Sequence, residues 1–203
     1  MLFPDKKVLI VDVDGTLYNQ KKLRKIMFVK MVAYYVPHFW KWKELLGIMM
    51  FRKYRYNEAH KALTIDELTT LVADKLHTEH YKIRDARHHW MDIAPLRYLP
   101  DCKYNRLIEW LNKCEQRVYI YSDYDPRVKL DALRLRCDGV FYPHNDKITT
   151  VKPNKFVMGN ILDAVGVPKE RILYIGDSDD KDRASASLIG VDYLDVKDVL
   201  KYV

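Results

Sequence analysis

The sequence predicts a doubly wound, mostly parallel α/β sheet that is interrupted by an all-α insert. Short β-rich runs alternate with helical patterns in the two flanks of the chain, and this alternation favours a parallel sheet with helices on both faces. Between the flanks, the sequence has helix-like stretches and no comparable β-rich run. The length of 203 residues, 48% of them apolar, suits one sizeable core and an accessory unit. We therefore expect an α/β core formed by residues 1–17 and 96–203 and a helical insert formed by residues 18–95.

The predicted strands are short runs of β-branched, aliphatic and aromatic residues. Such runs, bounded by polar residues and glycine, are typical of strands buried in a parallel sheet. In chain order they are Val8–Val11, Val118–Tyr121, Val140–Tyr142, Ile172–Ile175 and Val191–Leu194.

Helical periodicity separates the later strands. Asp101 is predicted to cap a helix that carries Leu107 and Leu111 on one face. Pro126 and Pro153 are each predicted to open a further helix at its first turn. Gly166 is the stop signal for the helix that Pro153 opens.

The insert differs from the flanks in charge and in aromatic content. From Tyr18 to Tyr98 there are 16 Lys and Arg against 8 Asp and Glu, a balance of +8, whereas the rest of the chain has 19 against 20, a balance of −1. Helix breaks are predicted near Pro37 and around Asn57 and Lys82. This basic, aromatic composition leaves open that the insert binds nucleic acid or an anionic membrane surface.

Three features predict a cytoplasmic protein. No apolar run approaches the roughly 18 to 20 residues that a membrane-spanning helix needs. The first apolar run ends at once in Asp12 and Asp14, which is unlike a secretory signal. The cysteines, at positions 102, 114 and 137, are odd in number and lack the spacing of a metal site, which indicates reduced thiols.

The first predicted strand ends in two carboxylates. Asp12 and Asp14 are separated by one residue, so they share a face of the extended chain. Gly15 allows the backbone to turn sharply directly after them. Because ligands bind at the carboxyl ends of strands in open α/β sheets, this strand end is a candidate site.

Three later segments supply further polar groups at or near strand ends. The hydroxyl of Ser122 and the backbone N–H of Asp123 are suited to holding a phosphoryl oxygen. Lys152 precedes Pro153, and an ammonium beside a helix N-terminus favours anion binding. Residues 176–182 carry four carboxylates on one short loop, which repel one another unless a cation joins them, and hard oxygen ligands suit Mg²⁺.

Taken together, these segments resemble the signature of the haloacid dehalogenase superfamily of phosphohydrolases. The four motifs Asp-x-Asp-Gly-Thr, Ser, Lys-Pro and Gly-Asp-x4-Asp occur in that order. The similarity covers about residues 6–17 and 96–200, and the insert stands where this family places a helical cap. The resemblance implies a Rossmann-like core and a cap that closes over the site.

The resemblance also implies a covalent mechanism of phosphate-ester hydrolysis. Asp12 is expected to be the nucleophile that forms an aspartyl-phosphate. Asp14 is expected to protonate the leaving oxygen and then to deprotonate the attacking water. Thr16 is expected to orient the loop. Dehalogenases of the superfamily lack the second aspartate, so its presence favours phosphate-ester chemistry.

The resemblance further implies a Mg²⁺ ion. It is expected to be held by Asp12, the backbone carbonyl of Asp14 and Asp177. Asp182 is preferred as the supporting carboxylate because its distance to Gly190 fits the helix that follows.

Two alternatives compete with that choice of supporting carboxylate, namely Asp179 and Asp180.

Ser122 and Lys152 are expected to neutralise charge on the transferred oxygens.

The expected function is Mg²⁺-dependent hydrolysis of a small, possibly polyanionic phosphorylated metabolite. A phosphomutase that uses the same intermediate is the closest alternative, because the catalytic motifs do not separate the two fates of the phosphoryl group. Nucleic acid and membrane are not expected as partners, and no oligomeric state is predicted.

Overall fold

The structure is a computed structural model that describes residues 2–55, 57, 63–142 and 152–203. These residues form two compact units. We name them the core unit, with described residues 2–20, 99–142 and 152–203, and the helical unit, with described residues 21–55, 57 and 63–98.

The core unit contains a five-stranded sheet in which every described pair of neighbouring strands is parallel. The strand order is β3-β2-β1-β4-β5. The strands are β1 (Val8–Val11), β2 (Arg117–Tyr121), β3 (Gly139–Phe141), β4 (Ile172–Gly176) and β5 (Asp192–Asp195). The predicted fold class is therefore confirmed, and each predicted strand lies within one residue of an observed one.

The described helices surround this sheet or build the helical unit. In chain order they are α1 (Gln20–Tyr35), α2 (Trp42–Arg55), α3 (Ile65–Lys75), α4 (His80–Arg87), α5 (Ala94–Tyr98), α6 (Asn105–Lys113), α7 (Arg127–Leu133), α8 (Lys155–Val165), α9 (Ala184–Ile189) and α10 (Val196–Val199). Short 3₁₀ segments cover Phe39–Lys41 and Lys169–Arg171, and π-helical segments cover His88–Ile93 and Asp179–Arg183. None of the described helices combines the length and the apolar character needed to cross a membrane.

The register of the sheet brings three strand ends to one edge. Val11, the last residue of β1, lies beside Ile120 of β2 and Ile175 of β4. All four residues of β1 are fully buried, as expected for the central strand of a parallel sheet. The polar residues that follow these strands are therefore carried to the same end of the sheet by a rigid, apolar support.

The apolar residues of β1 alternate between the two faces of the sheet. Val8 and Ile10 belong to one buried cluster with Met158 and Ile161 of α8. This contact packs α8 against one face of the sheet.

The predicted helix cap at Asp101 is wrong, because α6 begins only at Asn105. Lys103 pairs with Tyr18 in an isolated antiparallel bridge. The N–H of Tyr104 also donates to the carbonyl oxygen of Leu17 at 3.1 Å. These contacts keep the chain extended where the periodicity suggested a helix.

The two predicted proline starts are each displaced. Pro126 is the N-cap of α7 rather than a residue of its first turn. After Pro153, α8 begins at Lys155 because the Asn154 side chain accepts hydrogen bonds from the N–H groups of Phe156 and Val157. The stop predicted at Gly166 is confirmed, since Gly166 is the left-handed C-cap.

The described part of the helical unit contains helices and no strand. Its buried cluster includes Phe51 of α2, Leu68 and Val72 of α3, and Ile83 of α4. The helix break near Pro37 is confirmed by the end of α1 at Tyr35.

The break expected around Lys82 is wrong, because α4 runs through that residue. The chain instead leaves the helix at Leu76, and His77 has a positive φ of 47°. Asn57 lies two residues beyond the end of α2, and residues 56 and 58–62, where the remaining predicted break falls, lie outside the described residues.

Candidate active site

Asp12 lies at the end of β1 and is held by neighbours on three elements. Its N–H donates to the carbonyl oxygen of Ile175 at 3.0 Å, which ties the strand end to β4. Its Oδ2 accepts a hydrogen bond from the Thr16 hydroxyl at 2.9 Å, and its Oδ1 accepts one from the Lys152 ammonium. With an exposed fraction of 7%, Asp12 is a buried carboxylate with both oxygens oriented.

Asp14 is held by a different set of donors. Its Oδ1 accepts hydrogen bonds from the Tyr18 hydroxyl and from the Lys129 ammonium on α7. Both contacts are partly exposed, since the side chains of Lys129 and Asp14 are about a third accessible. The two carboxylates of the first motif thus pair with different cations, Asp12 with Lys152 and Asp14 with Lys129.

Position 15 requires a glycine because Asp177, in the fourth motif, lies very close to its backbone. It has a φ of +105°, and a Cβ built on it would lie 2.1 Å from Oδ2 of Asp177. A side chain at this position would therefore strain the backbone and displace the Asp177 carboxylate. The glycine lets the loop after β1 pass directly beneath the acidic loop after β4.

Asp182 is fully engaged with the surrounding protein. Its Oδ1 accepts hydrogen bonds from Lys152 and from the Tyr174 hydroxyl, each at 2.9 Å. Its Oδ2 accepts hydrogen bonds from the N–H groups of Asp177 and Ser178, each at 3.2 Å. With four donors on two oxygens, Asp182 is arranged to position Lys152 and the loop of Asp177.

The two competing carboxylates of the acidic loop lie elsewhere. Asp179 pairs with Arg183 at 2.6 Å, and Asp180 is exposed. Of the three acids weighed as a supporting residue, the structure brings Asp182 into the cluster with Asp12.

Lys152 is the cation at the centre of this cluster. Its side chain is 1% exposed, and its ammonium contacts both Asp12 and Asp182. The ammonium also lies 4.7 Å from the centre of the Tyr121 ring, which is a favourable cation–π distance. Burial alone would lower the pKa of Lys152, but Asp12, Tyr174 and Asp182 raise it well above its ordinary value.

The second motif, Ser122 and Asp123, joins the site through a backbone hydrogen bond of Ser122 and through the carboxylate of Asp123. Ser122 is buried at the end of β2, where its N–H donates to the carbonyl oxygen of Phe141 at 3.0 Å. The carboxylate of Asp123 accepts a hydrogen bond from the Lys152 N–H at 2.7 Å and pairs with the Lys181 ammonium at 3.0 Å. Among the described residues, Asp12 accepts its side-chain hydrogen bonds from Thr16 and Lys152 and not from Ser122, although both residues follow strands at the same sheet edge.

Three of the carboxylates are close enough to hold one metal ion. An oxygen from each of Asp12, Asp177 and Asp182 lies within 4.8 Å of the others. Carboxylate oxygens are the ligands that Mg²⁺ prefers. Because the two oxygens of Asp182 accept four hydrogen bonds from the protein, against two for those of Asp12, Asp12 and Asp177 are the better placed to bind such an ion directly.

The pKa values of the two carboxylates of the first motif are shifted in opposite directions. Burial raises the pKa of Asp12 to about 7, against the opposing effect of Lys152 and with a further contribution from Asp182. Burial also acts to raise the pKa of Asp14, but Lys129 and the hydrogen bond from Tyr18 outweigh it and lower the pKa.

This order of pKa values is the reverse of the one that the expected roles require, in which Asp12 is ionised and Asp14 is protonated. The physical reason is that Asp12 shares its cation with a second buried carboxylate, Asp182, whereas Asp14 is partly exposed and paired with Lys129. A divalent cation beside Asp12 favours its charged form and would lower its pKa.

Sequence reasoning missed three side chains of the site. Tyr174 lies inside β4 and resembles an apolar strand residue in the sequence. A buried tyrosine hydroxyl needs a hydrogen-bond partner, and this rule is the signal that could have identified it. Tyr18 stands four residues after Asp14 and could have been found by its proximity. Lys129 is 115 positions from Asp14, and no pattern in the sequence marks it.

The chain belongs to the haloacid dehalogenase-like hydrolase family, whose model matches residues 6–190. The family prediction is therefore confirmed. No curated protein shows a significant match to the sequence.

Several solved structures share the fold at low identity. The "putative HAD-hydrolase YfnB" from Bacillus subtilis, which is bound to magnesium, has 16% identity and a TM-score of 0.60, covering 93% of this chain and 87% of that chain. A "putative phosphoglycolate phosphatase" from Lactobacillus plantarum has 16% identity and a TM-score of 0.54, covering 94% and 86%. A 2-haloacid dehalogenase from Pseudomonas syringae has 14% identity and a TM-score of 0.58, covering 93% and 85%. Hydrolases that act on different bonds thus share this fold.

Proposed function

We propose that the protein hydrolyses a small phosphate monoester with the help of Mg²⁺, through an aspartyl-phosphate on Asp12. The observation that carries the proposal is the cluster of Asp12, Asp177 and Asp182, with an oxygen from each within 4.8 Å of the others. A carboxylate that attacks a phosphate dianion meets electrostatic repulsion, which a cation at this cluster would offset. The magnesium in the similar fold of YfnB supports the same metal here.

Asp12, Asp177 and the backbone carbonyl of Asp14 are the proposed ligands of the ion. When bound, Mg²⁺ would neutralise charge on the transferred phosphoryl oxygens. The ammonium of Lys152, the hydroxyl of Ser122 and the N–H of Asp123 are the proposed protein contacts to those oxygens.

Asp12 and Asp14 divide the covalent chemistry between them. A carboxylate oxygen of Asp12, oriented by Thr16 and Lys152, forms a bond to phosphorus while the bond to the leaving oxygen breaks. Asp14, in its protonated form, gives a proton to that oxygen. It then takes a proton from a water that attacks the phosphorus, which releases phosphate and restores Asp12.

Asp14 also favours phosphate-ester hydrolysis over carbon–halogen cleavage. Halide is a stable anion that leaves without a proton, whereas an alkoxide leaving group needs one. A carboxylate poised beside the nucleophile is therefore useful in ester hydrolysis.

Phosphate release measured on the purified protein tests this proposal. With Mg²⁺, we expect release from 4-nitrophenyl phosphate and from members of a panel of metabolite phosphates, loss of activity in EDTA and recovery when Mg²⁺ is returned. A metal-replete protein that releases no phosphate across the panel, or that releases chloride from 2-chloropropionate instead, would contradict the proposal. An isomerised sugar phosphate that keeps its phosphoryl group, seen by phosphorus NMR, would indicate the mutase alternative.

The substitution Asp14→Asn is expected to separate the two chemical steps. 4-Nitrophenolate is a good leaving group, so the phosphoryl group should still reach Asp12, but the water is no longer deprotonated. We expect a burst of nitrophenolate equal to the enzyme concentration, followed by turnover about 10² to 10⁴ times slower than in the wild type. Rapid-mixing absorbance measures the burst, and intact-mass spectrometry detects the phosphorylated chain.

The matched control is Asp180→Asn, which removes an exposed carboxylate of the acidic loop. It should behave as the wild type. Full steady-state turnover by the Asp14→Asn variant would show that Asp14 does not act on the water.

A further inference from the structure

The helical unit has an exposed surface that combines apolar side chains with lysines. Helix α1 buries Leu23, Met27, Met31 and Tyr35 on one face. Its other face and the 3₁₀ turn that follows carry large apolar residues in the open, and a soluble surface rarely leaves so many adjacent ones uncovered. The exposed apolar residues that define this surface are Phe28, Val32, Val36, Phe39, Trp40 and Trp42.

The apolar part is concentrated at one end of the surface. Phe28, Val32 and Val36 recur every four residues, so they form a stripe along the helix. The stripe leads directly into Phe39 and Trp40, which are 73% and 61% exposed. This places two large aromatic side chains at the tip of the stripe.

The basic part lies at the opposite end of the same helix face. Lys21, Lys22 and Lys25 stand one or two turns before Phe28 and are all exposed. Residues 18–43 contain seven Lys and Arg and no Asp or Glu. This segment therefore gives the surface a net positive charge.

The aromatic tip is built on ordered contacts within the helical unit. The His38 ring stacks on Tyr34 with centroids 4.7 Å apart, and the Lys41 ammonium donates to the Tyr34 hydroxyl at 2.9 Å. These contacts fix both sides of the turn that carries Phe39 and Trp40. The exposed orientation of the two rings is thus part of the folded structure.

We propose that this surface, a lysine-bearing helix face that ends in an exposed Phe-Trp turn, docks on the interface of an anionic lipid bilayer. Trp and Phe insert favourably at the level of the lipid headgroups, and lysines beside them bind anionic headgroups. Val32 and Val36 offer no stacking surface to a nucleic-acid base, whereas a lipid interface takes up both this aliphatic stripe and the aromatic rings, so the lipid is favoured over RNA or DNA. The proposal does not depend on the activity of the candidate active site.

Binding of the full chain to lipid vesicles tests the proposal. With vesicles of phosphatidylcholine and phosphatidylglycerol we expect co-sedimentation and a blue shift of tryptophan fluorescence, and with phosphatidylcholine alone we expect much weaker binding. The variant Lys21→Gln, Lys22→Gln, Lys25→Gln should bind on the order of 100-fold more weakly, since each lysine near an anionic surface contributes about fivefold. The variant Phe39→Ala, Trp40→Ala, Trp42→Ala should bind at least about tenfold more weakly than the wild type.

The control variants carry substitutions of the same kinds at exposed positions outside this surface. Lys155→Gln, Lys169→Gln, Lys197→Gln removes three exposed charges of the core unit, and Phe156→Ala removes a 77% exposed ring. Both controls should bind vesicles as the wild type does, and circular dichroism should be unchanged in all four variants.

Three results would overturn the proposal. The first is no preference of the wild type for anionic vesicles, and the second is an equal loss of binding in the control variants. The third is that the surface variants leave vesicle binding intact but abolish association with RNA, or with a second copy of the chain in sedimentation velocity, which would identify a different partner.

Discussion

Replacement of Asp12 by asparagine is expected to abolish phosphate release, with turnover lower on the order of 10⁴-fold or more, because the amide is not a nucleophile. Asparagine has the same shape as the aspartate, and with its carbonyl oxygen toward the Lys152 ammonium its NH₂ group can donate to the Thr16 hydroxyl. Burial raises the pKa of Asp12 to about 7, so the ionised carboxylate is unfavourable in this position and a neutral amide does not add to that penalty. We therefore expect the free energy of unfolding of the Asp12→Asn variant to be no lower than that of the wild type.

The same assay compares Asp12→Asn with Asp180→Asn, the exposed acid of the loop after β4. The control should keep full activity. Incorporation of phosphate into the Asp12→Asn variant, seen by intact-mass spectrometry, would place the nucleophile on another residue.

The part of the site that follows from the strands could be predicted from sequence. Asp12 and Asp177 come directly after or within one residue of the buried runs of β1 and β4, and parallel pairing of those runs is enough to bring them together. Asp182 was preferred over Asp179 and Asp180 by its spacing from the next glycine, and its contacts with Lys152 and Tyr174 give that preference a physical basis.

The part of the site that depends on side-chain packing across the sheet could not be predicted. Lys129 reaches Asp14 from a helix that follows another strand, and that approach depends on how α7 lies on the sheet. The pKa order of Asp12 and Asp14 follows from burial and from the sharing of Lys152, neither of which is visible in residue spacing. The helix start at Asp101 failed for a similar reason, because a long-range bridge to Tyr18 decides the local backbone.

Replacement of Lys152 by methionine is expected to lower the free energy of unfolding by about 3–5 kcal/mol at neutral to alkaline pH. Methionine keeps the length and the packing of the buried stem but removes the ammonium. Asp12 and Asp182 are then left as two buried carboxylates without their common cation. Urea unfolding in the presence of EDTA, followed by circular dichroism, measures the change.

The expected loss depends on pH in a defined direction. Without the ammonium, which opposes the effect of burial, the folded-state pKa of Asp12 rises further above that of the unfolded chain. The folded state then binds protons that the unfolded state does not, so the free energy of unfolding falls as the pH rises through this range and recovers as the pH is lowered. The difference between Lys152→Met and the wild type should therefore shrink toward mildly acidic pH.

The matched control is Lys181→Met, which removes the ammonium that pairs with Asp123 from a side chain that is 40% exposed. A partly exposed pair contributes little, so we expect a loss of about 1 kcal/mol or less with no marked pH dependence. Equal losses in the two variants, or a loss in Lys152→Met that stays constant with pH, would mean that the methionine disturbs packing and that the ammonium of Lys152 is not the counter-ion of the buried carboxylates. A large, pH-dependent loss confined to Lys152→Met would instead mean that one buried cation keeps Asp12, Asp182 and the acidic loop compatible with a folded core.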